Sequence, residues 1–308
     1  MSVYSNILQD TVGVVTGPLA PLQALFAELS RLAGAASGIG KAAVTSYALA
    51  GARTIYATDL SESGLQEVAE GVMREHPRIK VVAVRMGIAR SEEMEALVRR
   101  VVNESRRLDW FFANAGIVDF ESFNNTTEEQ MTRLFTVNTV GVFNSIQWAA
   151  RGMMNISDEK PRSGGSIVVT TSLASTFGGI GSPAYTTSKH ATLGLLRSAA
   201  AQLMLAKTGI RVNGVAPGPT KTSIGAHTLQ SGTMSESARK AFMEKGPKVE
   251  QAMMDAVAPP EEVADVAVFL SSPLSAGING QNILTDRGMR LAVHAFAGVF
   301  ELPEFKPL

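Results

Sequence analysis

Short β-branched runs alternate with longer segments in which apolar residues recur every three to four positions, and this alternation continues through most of the chain. The short runs predict strands at Val12–Thr16, Thr54–Thr58, Val81–Arg85, Trp110–Ala113, Ser166–Thr171, Arg211–Val215 and Asn282–Thr285. The longer patterns predict helices over Gly38–Ala50, Ser63–Glu75, Ser91–Ser105, Glu128–Met153, Ala184–Lys207 and Glu261–Leu270. Strands separated by helices of this length need crossover connections, so the sheet is expected to be parallel and covered on both faces. The expected fold class is a doubly wound α/β sheet. No internal repeat, low-complexity linker or composition shift marks a boundary, so residues 1–308 are expected to form a single domain.

Composition narrows the functional classes. Apolar residues make up 45% of the 308 and charged residues 18%, which is the profile of a soluble globular chain with a substantial core. Lys and Arg number 28, as do Asp and Glu, and no block of one sign occurs, so no nucleic-acid or membrane partner is expected. The pairs Arg99-Arg100 and Arg106-Arg107 read as a solvated helix face. The absence of cysteine excludes disulfides, thiolate metal sites and a cysteine nucleophile. The histidines, His76, His190, His227 and His294, lie too far apart for a local metal motif, and no metal is expected. The apolar stretch from Val12 to Ala27 is interrupted by Gly13, Gly17, Pro18 and Pro21, and no basic residue precedes Arg31. It matches neither a membrane span nor a signal peptide, and a cytoplasmic location is expected.

The chemistry begins at Gly34-Ala35-Ala36-Ser37-Gly38-Ile39-Gly40, a glycine loop opening a helix. Glycines there allow a tight turn and close backbone approach, and the helix N-terminus offers unpaired N–H groups to a pyrophosphate. Such a loop alone is equally compatible with an ordinary helix cap. Asp59 adds specificity, because it ends a strand 19 residues after Gly40, near the ~20 expected of the acidic residue that binds an adenosine ribose. Its carboxylate would accept both ribose hydroxyls and repel a 2′-phosphate, and Leu60 after it offers no cation, so NAD is favoured over NADP. The other reading of Asp59 is a strand-end turn residue.

The loop is interrupted. Val12-Gly13-Val14-Val15-Thr16-Gly17 already reads as the first strand and the first glycine, yet Pro18 to Gly34 separates Gly17 from Ala35. Without those seventeen residues the strand, turn and helix would be continuous. Leu22, Leu25, Phe26, Leu29 and Leu32 recur at helical spacing, so the insert 18–34 is either an amphipathic helix or, being a whole number of codons, a retained intron; the second is preferred.

Further along, Tyr185-Thr186-Thr187-Ser188-Lys189 places Tyr185 and Lys189 on one helix face. Ser172 ends a strand 13 residues earlier, and Asn138 lies in the long helix before it. A Tyr and Lys at that spacing often form a mere surface pair. The glycine loop, Asp59, Asn114-Ala115-Gly116, Asn138, Ser172, Tyr185, Lys189 and Pro217-Gly218 in one order form a far more specific set.

From roughly Thr11 to Gly288 the chain thus resembles the short-chain dehydrogenase/reductase family, whose fold is the Rossmann fold. The resemblance implies that Tyr185 is the general acid/base, that Lys189 lowers its pKa and holds the nicotinamide ribose, that Ser172 hydrogen-bonds the substrate oxygen, and that Asn138 positions a water for proton relay. It implies cofactor contacts at Gly17, Ser37, Gly38, Ile39, Gly40, Asp59, the Ile88 backbone, Asn114, Ala115, Gly116, Tyr185, Lys189, Pro217, Gly218, Thr220 and Thr222. The last of these would meet the nicotinamide carboxamide. It also implies a homodimer or homotetramer through the helices bearing Asn138 and Tyr185.

The chain departs from the family pattern in three places. Gly87 stands where an Asp usually meets the adenine, and Arg287 stands where a glycine is typical in Asp286-Arg287-Gly288. An extension, 289–308, carries Phe296, Phe300 and Phe305, which read as a pocket cap or as ordinary surface packing. The family's variable lid corresponds to 219–259, where Met234, Phe242, Met243, Met253 and Met254 could adapt to an apolar ligand or simply pack lid helices. Phe120, Phe177 and Ile180 could add apolar walls. The expected function is interconversion of a secondary alcohol and a ketone on a hydrophobic small molecule. The alternative is an impaired relative whose insert blocks the cofactor. A serine hydrolase is disfavoured, since no Gly-x-Ser-x-Gly elbow occurs.

Overall fold

The computed structural model describes residues 6–17, 34–222, 224, 235–240, 243–244 and 257–292. Seven strands form one parallel sheet: β1 (Val12–Val15), β2 (Thr54–Asp59), β3 (Lys80–Arg85), β4 (Trp110–Ala113), β5 (Gly165–Thr170), β6 (Ile210–Pro217) and β7 (Asn282–Thr285). Their order is β3-β2-β1-β4-β5-β6-β7, so the chain reverses its direction of travel across the sheet after β3. Each predicted strand is present, with ends shifted by no more than two residues.

The helices are α1 (Gly38–Leu49), α2 (Glu62–Glu75), α3 (Ser91–Ser105), α4 (Glu128–Phe135), α5 (Gly141–Met153), α6 (Pro183–Leu205) and α7 (Pro260–Ser271). Alternation along the strands divides them into two layers. Val12, Val14, Tyr56, Phe111, Ile167 and Val169 point into one core with α3, α5 and α6. Val15, Ile55, Ala57, Trp110, Phe112 and Val168 point into the other, with α1, α2 and α7. Tyr47 of α1 stacks on Trp110 at 3.8 Å between ring centroids. Gly13 is required beside that indole, because a Cβ there would lie 2.1 Å from it.

One prediction is corrected. The expected single helix Glu128–Met153 is broken by a five-residue π-helical stretch, Thr136–Val140, between α4 and α5. Two contacts account for it. Asn138 spends its side chain on the backbone of Ile117, and Gly141 faces Ile88 so closely that a Cβ would sit 2.6 Å from its side chain. A widened turn satisfies both, and such turns recur at functional sites.

The C-terminal ends of β1, β2, β4, β5 and β6 share one rim, and the strand-order reversal at β1 and β4 opens a crevice there. Residues 18–33 of the insert lie outside the described residues, with Leu22, Leu25, Phe26, Leu29 and Leu32. So do Met234, Phe242, Met253 and Met254 of the expected lid, and Phe296, Phe300 and Phe305 of the extension.

Candidate active site

The chain on either side of residues 18–33 converges on Thr58. The Gly17 N–H donates to Thr58 Oγ1 at 2.9 Å, and the Ala35 N–H donates to the Thr58 carbonyl at 3.3 Å. Two glycines share the work expected of Gly17 alone. A Cβ on Gly17 would lie 2.2 Å from the Thr58 carbonyl oxygen, whereas the close packing of Gly40 is against the carbonyl of Gly34. Ser37 precedes α1 in extended backbone and its hydroxyl makes no cap bond to the helix. Gly38 has φ of +50°, a conformation that suits glycine, and the methyl of Thr222 lies 3.1 Å from where its Cβ would stand. Ile39 packs on the core beneath.

Asp59 does more than end a strand. Nearly all of it is buried, and its two oxygens accept from the N–H groups of Ala36 at 3.1 Å and Ser61 at 3.0 Å. Burial pushes its pKa up, and these backbone bonds hold it down. On the neighbouring strand end, the Gly87 N–H donates to Glu93 Oε2 at 3.1 Å, and the buried Ile88 has its carbonyl bound by Asn144.

Thr170, at the end of β5, links two candidate residues. Its hydroxyl donates to Asn114 Oδ1 at 3.0 Å, and its carbonyl accepts from Lys189 Nζ at 3.0 Å. Ala115 is buried, and at Gly116 a Cβ would stand 3.2 Å from Asn138 Oδ1 and 3.5 Å from Lys189 Nζ. Lys189 is buried, which draws its pKa down to about 8. Its Nζ lies 5.9 Å from the Tyr185 ring centroid, so the two share one face of α6. Burial pushes the Tyr185 phenol up, and the neighbouring Ser172 hydroxyl pulls it down. Ser172 also accepts from the Ala174 N–H at 3.1 Å.

Asn138 is wholly buried. Its amide donates to the Ile117 carbonyl and to Ser188 Oγ, both at 3.0 Å, and accepts from the Ile117 N–H at 2.9 Å. The amide therefore braces the loop after β4. At the opposite wall, Gly218 packs on Asp286, where a Cβ would be 2.9 Å from the Asp286 Cβ, and Thr220 Oγ1 bonds the Gly218 carbonyl. Pro217 ends β6. Arg287 adopts φ of 49° and turns outward, forking onto Glu262 and bonding the Val257 carbonyl at 3.3 Å. The arginine thus finds room where a glycine was expected by pinning α7.

Phe120, Phe177 and Ile180 are half-buried and stand outside the packed cores, while Met243 is exposed. Sequence reasoning missed Thr170, Asp119 and Ser182. Only Ser182 carried a signal: Ser182-Pro183 before a helical pattern is an N-cap followed by proline in the first turn.

A glycine loop at the switch point of a parallel sheet, with a Tyr and a buried Lys on one face of the facing helix, defines the nucleotide-dependent oxidoreductase class. Residues 34–290 match the sequence model of the family described as enoyl-(acyl carrier protein) reductase. That match begins at Gly34, the residue on which Gly40 packs. The chain is 36% identical over 265 residues to short-chain dehydrogenase reductase 3a of Arabidopsis thaliana, covering 86% of this chain and 95% of that one. It is 31% identical over 265 residues to 3beta-hydroxysteroid dehydrogenase 2 of Eggerthella lenta, with the same coverage of 86% and 95%. A short-chain dehydrogenase from Mycobacterium paratuberculosis, solved bound to NAD, superposes with a TM-score of 0.73 at 28% identity, covering 91% of this chain and 97% of that one. The chain belongs to the short-chain dehydrogenase/reductase family. Among the described residues no cluster of His, Asp and Glu is placed to hold a metal ion, and no helix is long and apolar enough to cross a membrane.

Proposed function

We propose that this chain interconverts a secondary alcohol and a ketone on a hydrophobic small molecule, using NAD in preference to NADP. The observation that carries the reading is Lys189 on the same face of α6 as Tyr185, with Ser172 close enough to act on the phenol and Gly116 leaving little room beside Asn138 and Lys189. The residues present suit a dinucleotide. Gly38 and Gly116 leave a bare cradle, the N–H groups from Gly38 to Gly40 open α1 toward it, and Asp59 closes its ribose end.

In this reading Gly17, Ser37, Gly38, Ile39 and Gly40 shape the pyrophosphate site, and Asp59 accepts the ribose hydroxyls. The Ile88 backbone and Asn114, Ala115 and Gly116 flank the adenosine, while Pro217, Gly218, Thr220 and Thr222 line the nicotinamide side. Bound nicotinamide supplies or accepts the hydride. Ser172 donates to the substrate oxygen, and Tyr185 gives or takes its proton. Lys189, whose Nζ is directed at the Thr170 carbonyl, acts on the phenol by charge and holds the adjacent ribose. Asn138 fixes the wall of the proton path by holding Ile117, with a water completing the relay.

The chain returns to Thr58 on both sides of residues 18–33, which supports cofactor binding over the impaired alternative. The hydroxysteroid named for the Eggerthella lenta relative supports an apolar ring alcohol as substrate. Half-exposed Val140 and Phe143, beside Asn138, support a homodimer or homotetramer through α5 and α6. The test is cofactor reduction, followed with NAD and with NADP, across a panel of hydrophobic secondary alcohols including a 3β-hydroxysteroid. NAD-linked turnover is expected. Turnover with NADP alone, or none while NAD fails to bind, would reject the reading.

A further inference from the structure

The loop after β4 joins two parts of the candidate site. At Ile117 it is held by Asn138 through two backbone bonds. Two residues later, Asp119 grips the start of α6. Its carbonyl accepts from the Ser182 N–H at 3.0 Å, and its carboxylate Oδ1 accepts from the Ser182 hydroxyl. Ser182 in turn caps α6, its Oγ accepting from the N–H of Tyr185 at 3.0 Å. Gly181, at φ of 68°, is pressed between them: a Cβ there would stand 2.8 Å from the Tyr185 ring and 3.1 Å from the Asp119 carbonyl oxygen.

Asp119 and Ser182 are both fully buried. The other carboxylate oxygen, Oδ2, has no hydrogen bond and faces the Arg133 guanidinium at 3.7 Å. Arg133 lies on α4, whose chain runs on into the π-helical stretch that carries Asn138. Burial pushes the Asp119 carboxyl up, with the Ser182 bond and the Arg133 charge opposing it. Solvent cannot substitute for any of these partners. A buried carboxylate is costly unless its bonds are met, so its retention calls for a role.

We infer that Asp119 is a positioning residue, acting through the Ser182 cap to set the Tyr185 phenol against Ser172 and at a fixed distance from Asn138. The inference rests on Tyr185 being the acid/base. The carboxylate makes Ser182 a hydrogen-bond donor toward Asp119, which leaves its lone pairs for the Tyr185 N–H. Without Asp119 the hydroxyl is free to rotate, and the first turn of α6 loses its anchor to the loop.

The test uses the full chain with NAD bound and tyrosine labelled with ¹³C at Cζ, the Tyr185 signal being assigned by its absence in Tyr185→Phe. Asp119→Ala and Ser182→Ala should displace that signal in the same direction while Tyr47 and Tyr56 stay in place. The double variant should move it no further, since both act through one contact. Ser182→Thr, which keeps the hydroxyl, should restore it. With a 3β-hydroxysteroid as probe, kcat should fall about tenfold in each alanine variant, with the KM for NAD within about twofold. An unmoved Tyr185 signal, additive displacements, or equal movement of Tyr47 and Tyr56 would overturn the inference. Ser182→Ala covers the case in which Asp119→Ala does not fold. The labelled signal reports position without turnover, so a failure of the acid/base assignment, seen as activity retained by Tyr185→Phe, is distinguishable from a failure here.

Discussion

The carbonyl oxygen of Gly34 lies 2.0 Å from the point where a Cβ on Gly40 would stand. Helix α1 can start this close to the loop only because Gly40 has no side chain, and the obstructing atom is backbone, which cannot move aside as a side chain would. Gly40→Ala is therefore expected to destabilise the fold by about 1–3 kcal/mol and to weaken NAD at least ~10-fold. Gly71→Ala in α2 is the control, since nothing lies within 4 Å of its added Cβ. It should stabilise by about 0.5–1 kcal/mol and leave NAD unaffected. Urea unfolding and calorimetric titration check both.

Deleting Pro18 to Gly34 should give a chain that binds NAD at least as tightly as the full one. Gly17 would then take over from Gly34 against Gly40, and the strand would pass directly into the glycine turn. The excursion itself costs little entropy, because closure cost grows only logarithmically with loop length. Calorimetry on the two chains decides the matter. Weaker binding after deletion would show that Gly34 cannot be replaced by Gly17.

Asp59→Ala should weaken NAD and narrow the gap to NADP. The carboxylate holds both the Ala36 and Ser61 N–H groups, so its loss loosens the glycine loop as well as removing the ribose acceptor. Titration with both cofactors checks this. Unchanged affinities would mean that Asp59 acts only as a turn residue.

The strands were legible because each is an apolar run bounded by polar turns. The Tyr185–Lys189 pair was legible because a spacing of four fixes a helix face. The π-helical break was not, since Leu134, Val137 and Val142 keep a helical rhythm through it. What breaks the helix is the main chain of Ile117, 21 residues away. Asp119 was illegible for the same reason: flanked by Val118 and Phe120, it has no local pattern, and its partner Ser182 is 63 residues on. The insert was visible as an interruption, but the return of both its ends to Thr58 depends on a strand that comes later in the chain.

Lys160 went unnoticed in the sequence, yet its buried Nζ donates to three carbonyls, of Leu108, Met153 and Gly164, at 2.6, 2.7 and 2.6 Å. It ties the end of α5 to the entries of β4 and β5. Lys160→Met should cost about 3 kcal/mol, because it leaves those carbonyls without their donor. Burial draws both Lys160 and Lys189 down to about 8 from an ordinary value of 10.5. Between those pH values the unfolded chain holds more protons than the folded one, so these two groups make stability rise with pH there. Urea unfolding of the wild type, Lys160→Met and Lys189→Met across that window should show the rise diminished in each variant. An identical pH dependence in all three would contradict the assignment.

Tyr185→Phe tests the central claim most directly, because it removes the transferable proton and little volume. Turnover of a hydrophobic secondary alcohol with NAD should fall by roughly 10²–10⁴ in kcat, while calorimetry shows NAD affinity within about twofold of the wild type. A variant that keeps most of its kcat would contradict the assignment of Tyr185 as the group that exchanges the substrate proton.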